Sequence, residues 1–314
     1  MLLGGSASLY TLKKDSADGR FLMWKITTKA IQKQPITGTS LGGFPAAYAE
    51  TQAEYMASGK ATEQEKLVAG CPEYAFNEYL QIGLEQGLVG LALFIGWLGL
   101  LFYKGIKNKR YACCGGLMSL AIFAFSSYPL QLPEFWVVLI FLGVMSVTPD
   151  KDEIRENQAE SNGHRWGKQI FFMGIAILGI GLFWMQKDHY KAYQQWNKAQ
   201  MFYNNKAYEA ALEVYEPLYP LLKHKPEFLF EAAQSLSKTG QYEKANEYLE
   251  RAVLLSSDPM LYYVMAKNEQ CLGEYRQAEK HLLHAIDILP ERIYPYYLLM
   301  NLYTEPSYFQ PAKL

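Results

Sequence analysis

The hydrophobic residues of the chain are concentrated between residues 86 and 186, in four stretches that carry almost no charge. A helix needs about 20 apolar residues to cross a bilayer, and the usable range begins at about 17. The third stretch is the shortest, so a re-entrant or interfacial helix is the alternative there. An odd number of crossings would put the two polar flanks on opposite faces, which favours a span. The pattern therefore predicts four transmembrane helices, at about 86–104, 111–130, 133–149 and 169–186.

The loop between the first two predicted spans carries four basic residues and no acid: Lys104, Lys107, Lys109 and Arg110. Short cytoplasmic loops are enriched in lysine and arginine, so this loop is expected in the cytoplasm. Four crossings then place residues 1–85 and residues 187–314 outside the cytoplasm. The first residues, MLLGGSASLY, read as the end of a transmembrane helix. We therefore expect the chain to be the C-terminal part of a longer membrane protein.

The C-terminal third repeats itself at a spacing of 33–34 residues. Three sets of residues keep this offset: Tyr208, Tyr242 and Tyr275; Ala211, Ala245 and Ala278; and Ala199, Ala233 and Ala266. Small alanines let paired helices approach closely, and Gly240 and Gly273 close the turns between them. The segments resemble tetratricopeptide repeats over about 190–290, with a capping helix at 293–303. Such a solenoid predicts a peptide or partner protein in its concave groove, and a rigid structural module is the alternative.

The composition of the chain argues against certain partners and sites. The chain has 314 residues, of which 50% are hydrophobic and 19% charged, with a formal net charge of −1. Without a basic excess, a nucleic-acid partner is not expected. The four cysteines are too few and too scattered for a disulfide framework or a zinc site.

The N-terminal 85 residues are polar and contain a basic patch of Lys13, Lys14, Arg20, Lys25, Lys29 and Lys33. This patch could attract lipid phosphates or a pyrophosphate, and a solvated surface that faces lipid headgroups is the alternative. Helices are predicted around 26–31 and 48–56, with a loop at 35–43 between them. An amphipathic helix at the membrane surface is predicted for 77–85.

Three motifs follow one another in this region: GR-x-x-x-W, then P-x-x-G-x-x-x-G-G-F, then N-E-Y-L-Q-x-x-x-E-x-G-x-x-G. Their order resembles the O-antigen ligase / O-antigen polymerase family over about residues 10–148. The resemblance implies an all-α fold of polytopic membrane helices, similar to the C-type glycosyltransferases, followed by the repeat solenoid. It implies a bacterial inner-membrane enzyme that transfers glycan from undecaprenyl pyrophosphate, in lipopolysaccharide or polysaccharide biosynthesis. It also implies a periplasmic loop and no metal, nucleotide sugar or other cofactor.

The resemblance assigns the family's loop arginine, which holds the pyrophosphate of the carrier, to Arg20. A planar guanidinium makes paired hydrogen bonds to phosphate oxygens and neutralises the charge of a leaving group. A surface charge facing lipid is the alternative for Arg20. The resemblance also implies a substrate-binding set of Trp24, Lys25, Gly42, Gly43, Asn77, Tyr79 and Gln81. Trp24 and Tyr79 would stack on sugar or shape the site, and Asn77 would orient the loop. Gly38, Gly42 and Gly43 could offer backbone N–H groups to a phosphate. A tight turn is the alternative for these glycines.

The family's histidine, a base that activates the acceptor hydroxyl, falls on Phe76, while Asn77, Gly87 and Gly90 keep the motif's spacing. A base is then sought in Glu78 or Glu85, with a pKa raised by desolvation near the bilayer. An exposed helix residue is the alternative for Glu78. Glu85 could instead hydrogen-bond the loop. Gly87 and Gly90 allow close helix packing more readily than they bind substrate.

Three functions are consistent with these residues. The first is a ligase that transfers a glycan onto lipid A-core or a protein. The second is a polymerase that joins carrier-linked repeat units. The third is a non-catalytic scaffold, anchored in the lipid bilayer, whose repeats recruit a partner.

Overall fold

The computed structural model describes residues 3–148, 173–174, 177–179, 181, 183–184 and 186–309, and the regular structure in this part is helical throughout. The N-terminal region contains four helices, α1 (Leu3–Lys33), α2 (Phe44–Ala57), α3 (Glu63–Val68) and α4 (Glu78–Glu85). They enclose a core in which Ile26, Phe44 and Tyr48 are buried.

Local sequence explains where these helices begin and end. The residue before a proline disfavours helical backbone, and α1 stops at Lys33, two residues before Pro35. The side chain of Thr62 accepts a hydrogen bond from the N–H of Glu65, whose own side chain bonds back to Thr62, and this reciprocal pair starts α3. The predicted helices at 26–31 and 48–56 lie within α1 and α2, and the predicted loop separates them.

The predicted helix at 77–85 is present as α4, but its surroundings differ from the expectation. Six of its eight residues are buried, and both glutamates are among them. It packs against α1, α5 and α6, so its polar face meets protein as well as its apolar face. An amphipathic helix on a membrane surface would leave the polar face in water. The structure therefore shows α4 as a buried helix of the N-terminal region that contacts protein on both faces.

Three apolar helices follow: α5 (Gly87–Lys107), α6 (Tyr111–Ser126) and α7 (Pro133–Val147), with a short 3-10 turn, Pro129–Gln131, before α7. In the described part of the chain, α5 alone is long and apolar enough to cross a membrane. The 16 residues of α6 and the 15 of α7 rise about 24 and 22 Å, short of the hydrocarbon thickness of about 30 Å. The predicted second and third spans therefore appear as shorter helices. Half of the predicted fourth span, 169–186, lies outside the described residues.

The three apolar helices pack closely against one another. Leu101, Leu117 and Leu139 form their buried centre. A Cβ added at Gly105 would lie 2.5 Å from Sγ of Cys114, which shows how closely α5 and α6 approach. Large apolar side chains on the outer faces are exposed, among them Leu93, Ile122 and Val137. An exposed apolar surface of this kind is typical of contact with lipid or another protein.

The C-terminal region is a solenoid of seven helices within the described residues: α8 (Lys187–Asn204), α9 (Tyr208–Leu222), α10 (Pro226–Lys238), α11 (Tyr242–Val253), α12 (Met260–Leu272), α13 (Tyr275–Ile288) and α14 (Ile293–Thr304). Consecutive helices pack as antiparallel pairs. The repeated alanines of the sequence lie at the helix contacts, each no more than 1% exposed: Ala199, Ala211, Ala233, Ala245, Ala266 and Ala278. The predicted repeats are therefore present, with α14 after the last pair.

The turns between paired helices need a left-handed residue. Gly240 and Gly273 adopt φ values of +84° and +81°. In the first pair the equivalent position is Lys206, which has φ +61° although it is not glycine. A non-glycine residue in this conformation costs about 1–2 kcal/mol, so the first turn is strained relative to the other two.

The solenoid docks on the N-terminal region through α13 and α2. Ala49 and Ala53 of α2 pack against Ile288 and Leu289. The buried amide Nε2 of Gln52 donates to the carbonyl of Gly70 at 3.0 Å and to that of Ile288 at 2.8 Å. The solenoid and the N-terminal region are therefore in direct contact through α13 and α2.

Nearby polar contacts extend the same interface. The hydroxyl of Ser257 donates to the carbonyl of Pro72 at 3.2 Å. Nε2 of His284 lies 3.5 Å from a carboxylate oxygen of Glu50, and the ring of Tyr262 packs edge-on against that histidine. The docked surface therefore combines a small apolar centre with polar contacts around it.

Replacing Gln52 with leucine should loosen this interface, because leucine keeps the volume but leaves the carbonyls of Gly70 and Ile288 without their donor. A buried polar group without a partner costs about 1–3 kcal/mol. We expect a lower thermal unfolding temperature in detergent and faster hydrogen exchange in the last turn of α13. The matched control is Gln64→Leu, which removes an exposed amide that bonds to Asp15 and Asp18. Equal behaviour of the two variants would contradict the role assigned to Gln52.

Candidate functional site

Arg20 and Trp24 lie one turn apart on α1, beside the residue at the family's histidine position. The guanidinium carbon of Arg20 is 5.6 Å from the ring centroid of Phe76. The indole N–H of Trp24 donates to the carbonyl of Ala75 at 3.1 Å. Arg20 is exposed, and within the described residues it forms no salt bridge. The first and third sequence motifs therefore meet in space, and the guanidinium is available to an anion.

An aromatic cluster supports this arrangement from the side of α6 and the turn that follows it. Phe76 meets Tyr128 edge-on with 4.9 Å between ring centroids, and Tyr128 stacks on Tyr74 at 5.2 Å. Trp24 packs edge-on against Phe125 at 5.5 Å. The cluster joins α1, the segment before α4, and the turn between α6 and α7.

Phe76 adopts an unusual backbone conformation in this cluster. Its φ of +49° lies in the left-handed region, which is uncommon for an aromatic residue. Such a conformation costs of order 1–3 kcal/mol and persists only where the surroundings hold it. Packing against Tyr128 and the guanidinium of Arg20 holds the ring where the resemblance would place an imidazole.

Asn77 and Glu78 anchor the start of α4. The side-chain oxygen of Asn77 accepts hydrogen bonds from the N–H groups of Tyr79 and Leu80, so Asn77 is the N-cap. The carboxylate of Glu78 accepts from the N–H of Leu130 at 2.7 Å and from the amide of Gln131 at 3.3 Å.

The side chain of Glu78 therefore connects α4 to the turn between α6 and α7. Glu78 is 1% exposed, so the alternative of an exposed helix residue is wrong. Burial raises its pKa, although the hydrogen bonds from Leu130 and Gln131 oppose this effect. Glu78 thus holds the α6–α7 turn, and with it Tyr128, against the N-terminal region.

Glu85 performs a similar task at the other end of α4. Its carboxylate accepts from the amide of Gln81 at 2.7 Å and from the backbone N–H groups of Gly42 and Phe44. Burial raises the pKa of Glu85, and these hydrogen bonds lower it in part. Gln81 also accepts from the N–H of Ala75 at 2.8 Å. In this state the N–H of Gly42 is bonded to protein, so a phosphate at that N–H would have to displace Glu85.

Two glycines allow the loop to close on this end of α4. Gly87 has φ +69°, and a Cβ there would lie 2.0 Å from the carbonyl oxygen of Ile36. A Cβ at Gly38 would lie 2.5 Å from the backbone of Glu85. No side chain fits either position, so these glycines are required by close backbone packing. At Gly42 no atom lies within 4 Å of an added Cβ. Gly43 precedes α2 as its N-cap, and Gly90 lies within the first turns of α5.

The remaining predicted site residues contact protein groups elsewhere. Nζ of Lys25 is 2.6 Å from a carboxylate oxygen of Glu65 and 2.6 Å from the hydroxyl of Tyr55. The bonds to Glu65 and Tyr55 raise the pKa of Lys25. The hydroxyl of Tyr79 donates to the carbonyl of Ala121 in α6 at 2.9 Å. Lys25 and Tyr79 therefore tie helices together and lie outside the cluster around Arg20.

The basic patch is correspondingly smaller than the sequence indicated. Lys33 pairs with Glu54 at 2.6 Å, in addition to the Lys25–Glu65 pair. The side chain of Lys13 lies outside the described residues. Sequence reasoning missed Tyr74 and Tyr128, although the position of Tyr128 at the end of the second predicted span, next to Pro129, is typical of an aromatic residue at a membrane–water interface.

Comparisons with known proteins give one family match in the N-terminal region and another in the solenoid. The model of the O-antigen ligase family matches residues 4–95, and the model described as anaphase-promoting complex, cyclosome, subunit 3 matches residues 204–285. The first match includes Arg20, Phe76 and α4, and the second covers the repeated helix pairs. The comparison with curated proteins gave no match.

Solved structures similar to the chain include the type III secretion translocator chaperone SycD of Yersinia enterocolitica, one of them in complex with a peptide of the translocator YopD. The complex with the YopD peptide is 20% identical, with a TM-score of 0.32, and the match covers 36% of this chain and 86% of that one. SycD in an alternative dimer is 21% identical, with the same TM-score and coverage.

The two family matches confirm the resemblance to the O-antigen ligase family in the N-terminal region and the tetratricopeptide-like repeats in the C-terminal region. They support a ligase- or polymerase-like function for the chain in coarse terms. The family is one of membrane proteins, which agrees with the apolar length of α5.

The buried carboxyl of Glu78 predicts a specific pH dependence. Its folded-state pKa is raised above 4.5, so it favours the folded state at low pH and this contribution is lost as pH rises through the folded-state pKa. The stability of Glu78→Gln relative to the wild type should therefore increase from about pH 4.5 towards pH 7.5. Thermal unfolding in detergent across this range measures the difference. Glu243→Gln, which removes an exposed carboxylate of α11, is the control, and an equal pH trend in the two variants would refute the assignment to Glu78.

Proposed function

We propose that the protein transfers a glycan from undecaprenyl pyrophosphate to an acceptor, lipid A-core or a protein, at the periplasmic face of the bacterial inner membrane. The observation that carries this proposal is the exposed guanidinium of Arg20, which lies over Phe76 and one turn from Trp24, inside the segment that matches the O-antigen ligase family.

The proposed chemistry uses the charge and shape of Arg20. The acceptor hydroxyl attacks the anomeric carbon and forms the new glycosidic bond, while the bond from that carbon to the diphosphate breaks and the hydroxyl proton passes to solvent water. Negative charge grows on the departing diphosphate, and a guanidinium can bind two of its oxygens at once. Trp24 provides an apolar face for the sugar. Glu78 and Glu85 act as positioning residues in this proposal, because both carboxylates already hold loops.

The topology in this proposal follows from the contact between α2 and α13. This contact supports a common side of the membrane for residues 1–85 and 187–314, which is the periplasmic side in this proposal, and an even number of crossings between 86 and 186. Three apolar helices are described, and the proposed fourth span at 169–186 completes the count. The basic α5–α6 loop then lies in the cytoplasm, as its lysines favour.

Polymerisation of carrier-linked repeat units is the second candidate, and Phe76 favours it, because the ligase resemblance would place a catalytic histidine there. The same guanidinium would hold the donor in either reaction. The solenoid keeps a third role open, recruitment of a partner by a membrane-anchored scaffold.

Arg20→Ala in the natural gene should abolish the surface glycan ladder, because the leaving diphosphate loses its cationic partner. Arg20→Lys should restore little of it, since an ammonium cannot bind two oxygens in one plane. The measurement is the ladder on gels from a deletion strain that expresses each variant at equal membrane level. Accumulated single repeat units would identify a polymerase, and carrier-linked polymer would identify a ligase.

Lys14→Ala is the matched control, because it removes an exposed cation from the same helix six residues earlier. It should leave the ladder unchanged. A normal ladder from both Arg20 variants would exclude Arg20 as the pyrophosphate ligand.

The topology is tested with single cysteines. Cys271 is exposed in the solenoid, and replacing Cys71, Cys113 and Cys114 with alanine leaves it as the sole thiol. In intact spheroplasts a membrane-impermeant maleimide should label Cys271, and likewise Lys14→Cys in a chain without other thiols. Lys107→Cys should react only after permeabilisation. Labelling of Lys107→Cys alone from outside would place the donor and Arg20 on opposite faces.

A further inference from the structure

A cavity of about 820 Å³ lies where the solenoid meets the N-terminal region. One wall is the segment 70–73, and the other walls come from α10, from the start of α12, and from the start of α14. This volume is in the upper part of the range of about 300–1,000 Å³ that is usual for ligand sites. The cavity therefore has room for several residues of an extended chain.

The lining is acidic over an apolar floor. Four carboxylates, Glu73, Glu227, Glu231 and Asp258, and one guanidinium, Arg292, line the cavity. Apolar lining side chains include Phe230, Leu261, Tyr263 and Tyr294. Long basic side chains place their aliphatic stems on apolar surface and their charged ends at polar groups, so this lining suits lysine and arginine.

The carboxylates differ in how far they are engaged. Glu231 accepts hydrogen bonds from the indole of Trp196 at 2.7 Å and the amide of Gln200 at 2.9 Å, so it is held within the solenoid. Glu73, Glu227 and Asp258 are exposed, and in the part of the chain that the structure describes they form no salt bridge. Asp258 accepts a hydrogen bond from the N–H of Met260 at 2.9 Å, so Glu73 and Glu227 are the two carboxylates best able to pair with a cation from outside.

We propose that this cavity docks a lysine- or arginine-rich extended segment of a partner polypeptide. Charge complementarity decides between the possible occupants. A glycolipid that carries phosphates would bring like charges to Glu73 and Glu227, whereas a basic polypeptide brings opposite ones.

The cavity also lies close to the candidate transfer site. Glu73 lines the cavity, and Phe76, three residues later, packs under Arg20. Three residues span at most about 11 Å. A docked polypeptide would therefore pass within reach of Arg20. The docking itself does not depend on the proposed glycan transfer, and its test measures binding alone.

The test uses the full chain in detergent and a fluorescein-labelled 12-residue peptide of alternating lysine and alanine, followed by fluorescence anisotropy. The double variant Glu73→Gln, Glu227→Gln should bind about tenfold more weakly, as two partly exposed ion pairs would give. The matched control Glu243→Gln, Glu247→Gln removes two exposed carboxylates from α11, which does not line this cavity, and should stay within about twofold of the wild type.

Arg292→Gln provides an independent readout that does not rely on loss of binding. It removes the one cationic side chain that lines the cavity among the described residues, and it should tighten peptide binding by about threefold.

Three results would overturn the proposal. They are no peptide binding by the wild type, equal weakening in both double variants, and binding of lipopolysaccharide micelles that the Glu73→Gln, Glu227→Gln variant loses. The last result would place a glycolipid in the cavity instead.

Discussion

Two buried carboxylates at opposite ends of α4 hold the candidate site together. Glu78 accepts the N–H of Leu130 and fixes the turn that carries Tyr128, while Glu85 accepts N–H groups at the start of α2 and fixes the glycine loop. Each carboxylate is removed from water, which is costly unless its hydrogen bonds are made. The helix thus joins the apolar helices to the N-terminal region by directional bonds. Arg20 owes its surroundings to these bonds, because Tyr128 supports the ring of Phe76 beneath it.

The second organising contact joins regions that are far apart in sequence. Gln52 and Ile288 are separated by 236 residues, and the amide of one meets the carbonyl of the other in a buried interface. This contact orients the solenoid so that its α10, α12 and α14 face the segment 70–73. A partner that binds the repeats on this face would therefore also contact the N-terminal region. Two regions joined only by a flexible linker would not present a shared binding surface of this kind.

The sequence predicted the elements better than their contacts. The alanine and tyrosine offsets near Ala211 and Ala245 define the solenoid because small residues at helix crossings leave a period that can be read directly. The length of α5 was also predictable from its uninterrupted apolar stretch. The burial of Glu78 was not predictable. The sequence pattern of an amphipathic helix is the same whether its glutamate bonds to water or to the N–H of Leu130. The Gln52–Ile288 contact was missed since a single polar residue in α2 carries no periodic signal.

In the candidate site, too, the sequence identified some residues correctly but did not predict the contacts of others. Arg20 and Trp24 were identified from their motif, and the structure places them beside Phe76. The resemblance groups Lys25 and Gln81 with them, yet these two side chains bond to Glu65 and Glu85. Spacing along a motif cannot distinguish a side chain that meets substrate from one that braces a neighbouring helix, because both lie on the same few turns.

The pairing of α13 with α2 has a consequence for the repeats taken alone. Ile288 and Leu289 are 1% and 5% exposed, and α2 supplies much of what covers them. Severed from the N-terminal region, the solenoid would present these aliphatic side chains to water and would be prone to self-association. The solenoid and the N-terminal region therefore form one packed unit. The solubility of the solenoid depends on α2, which precedes it by more than a hundred residues.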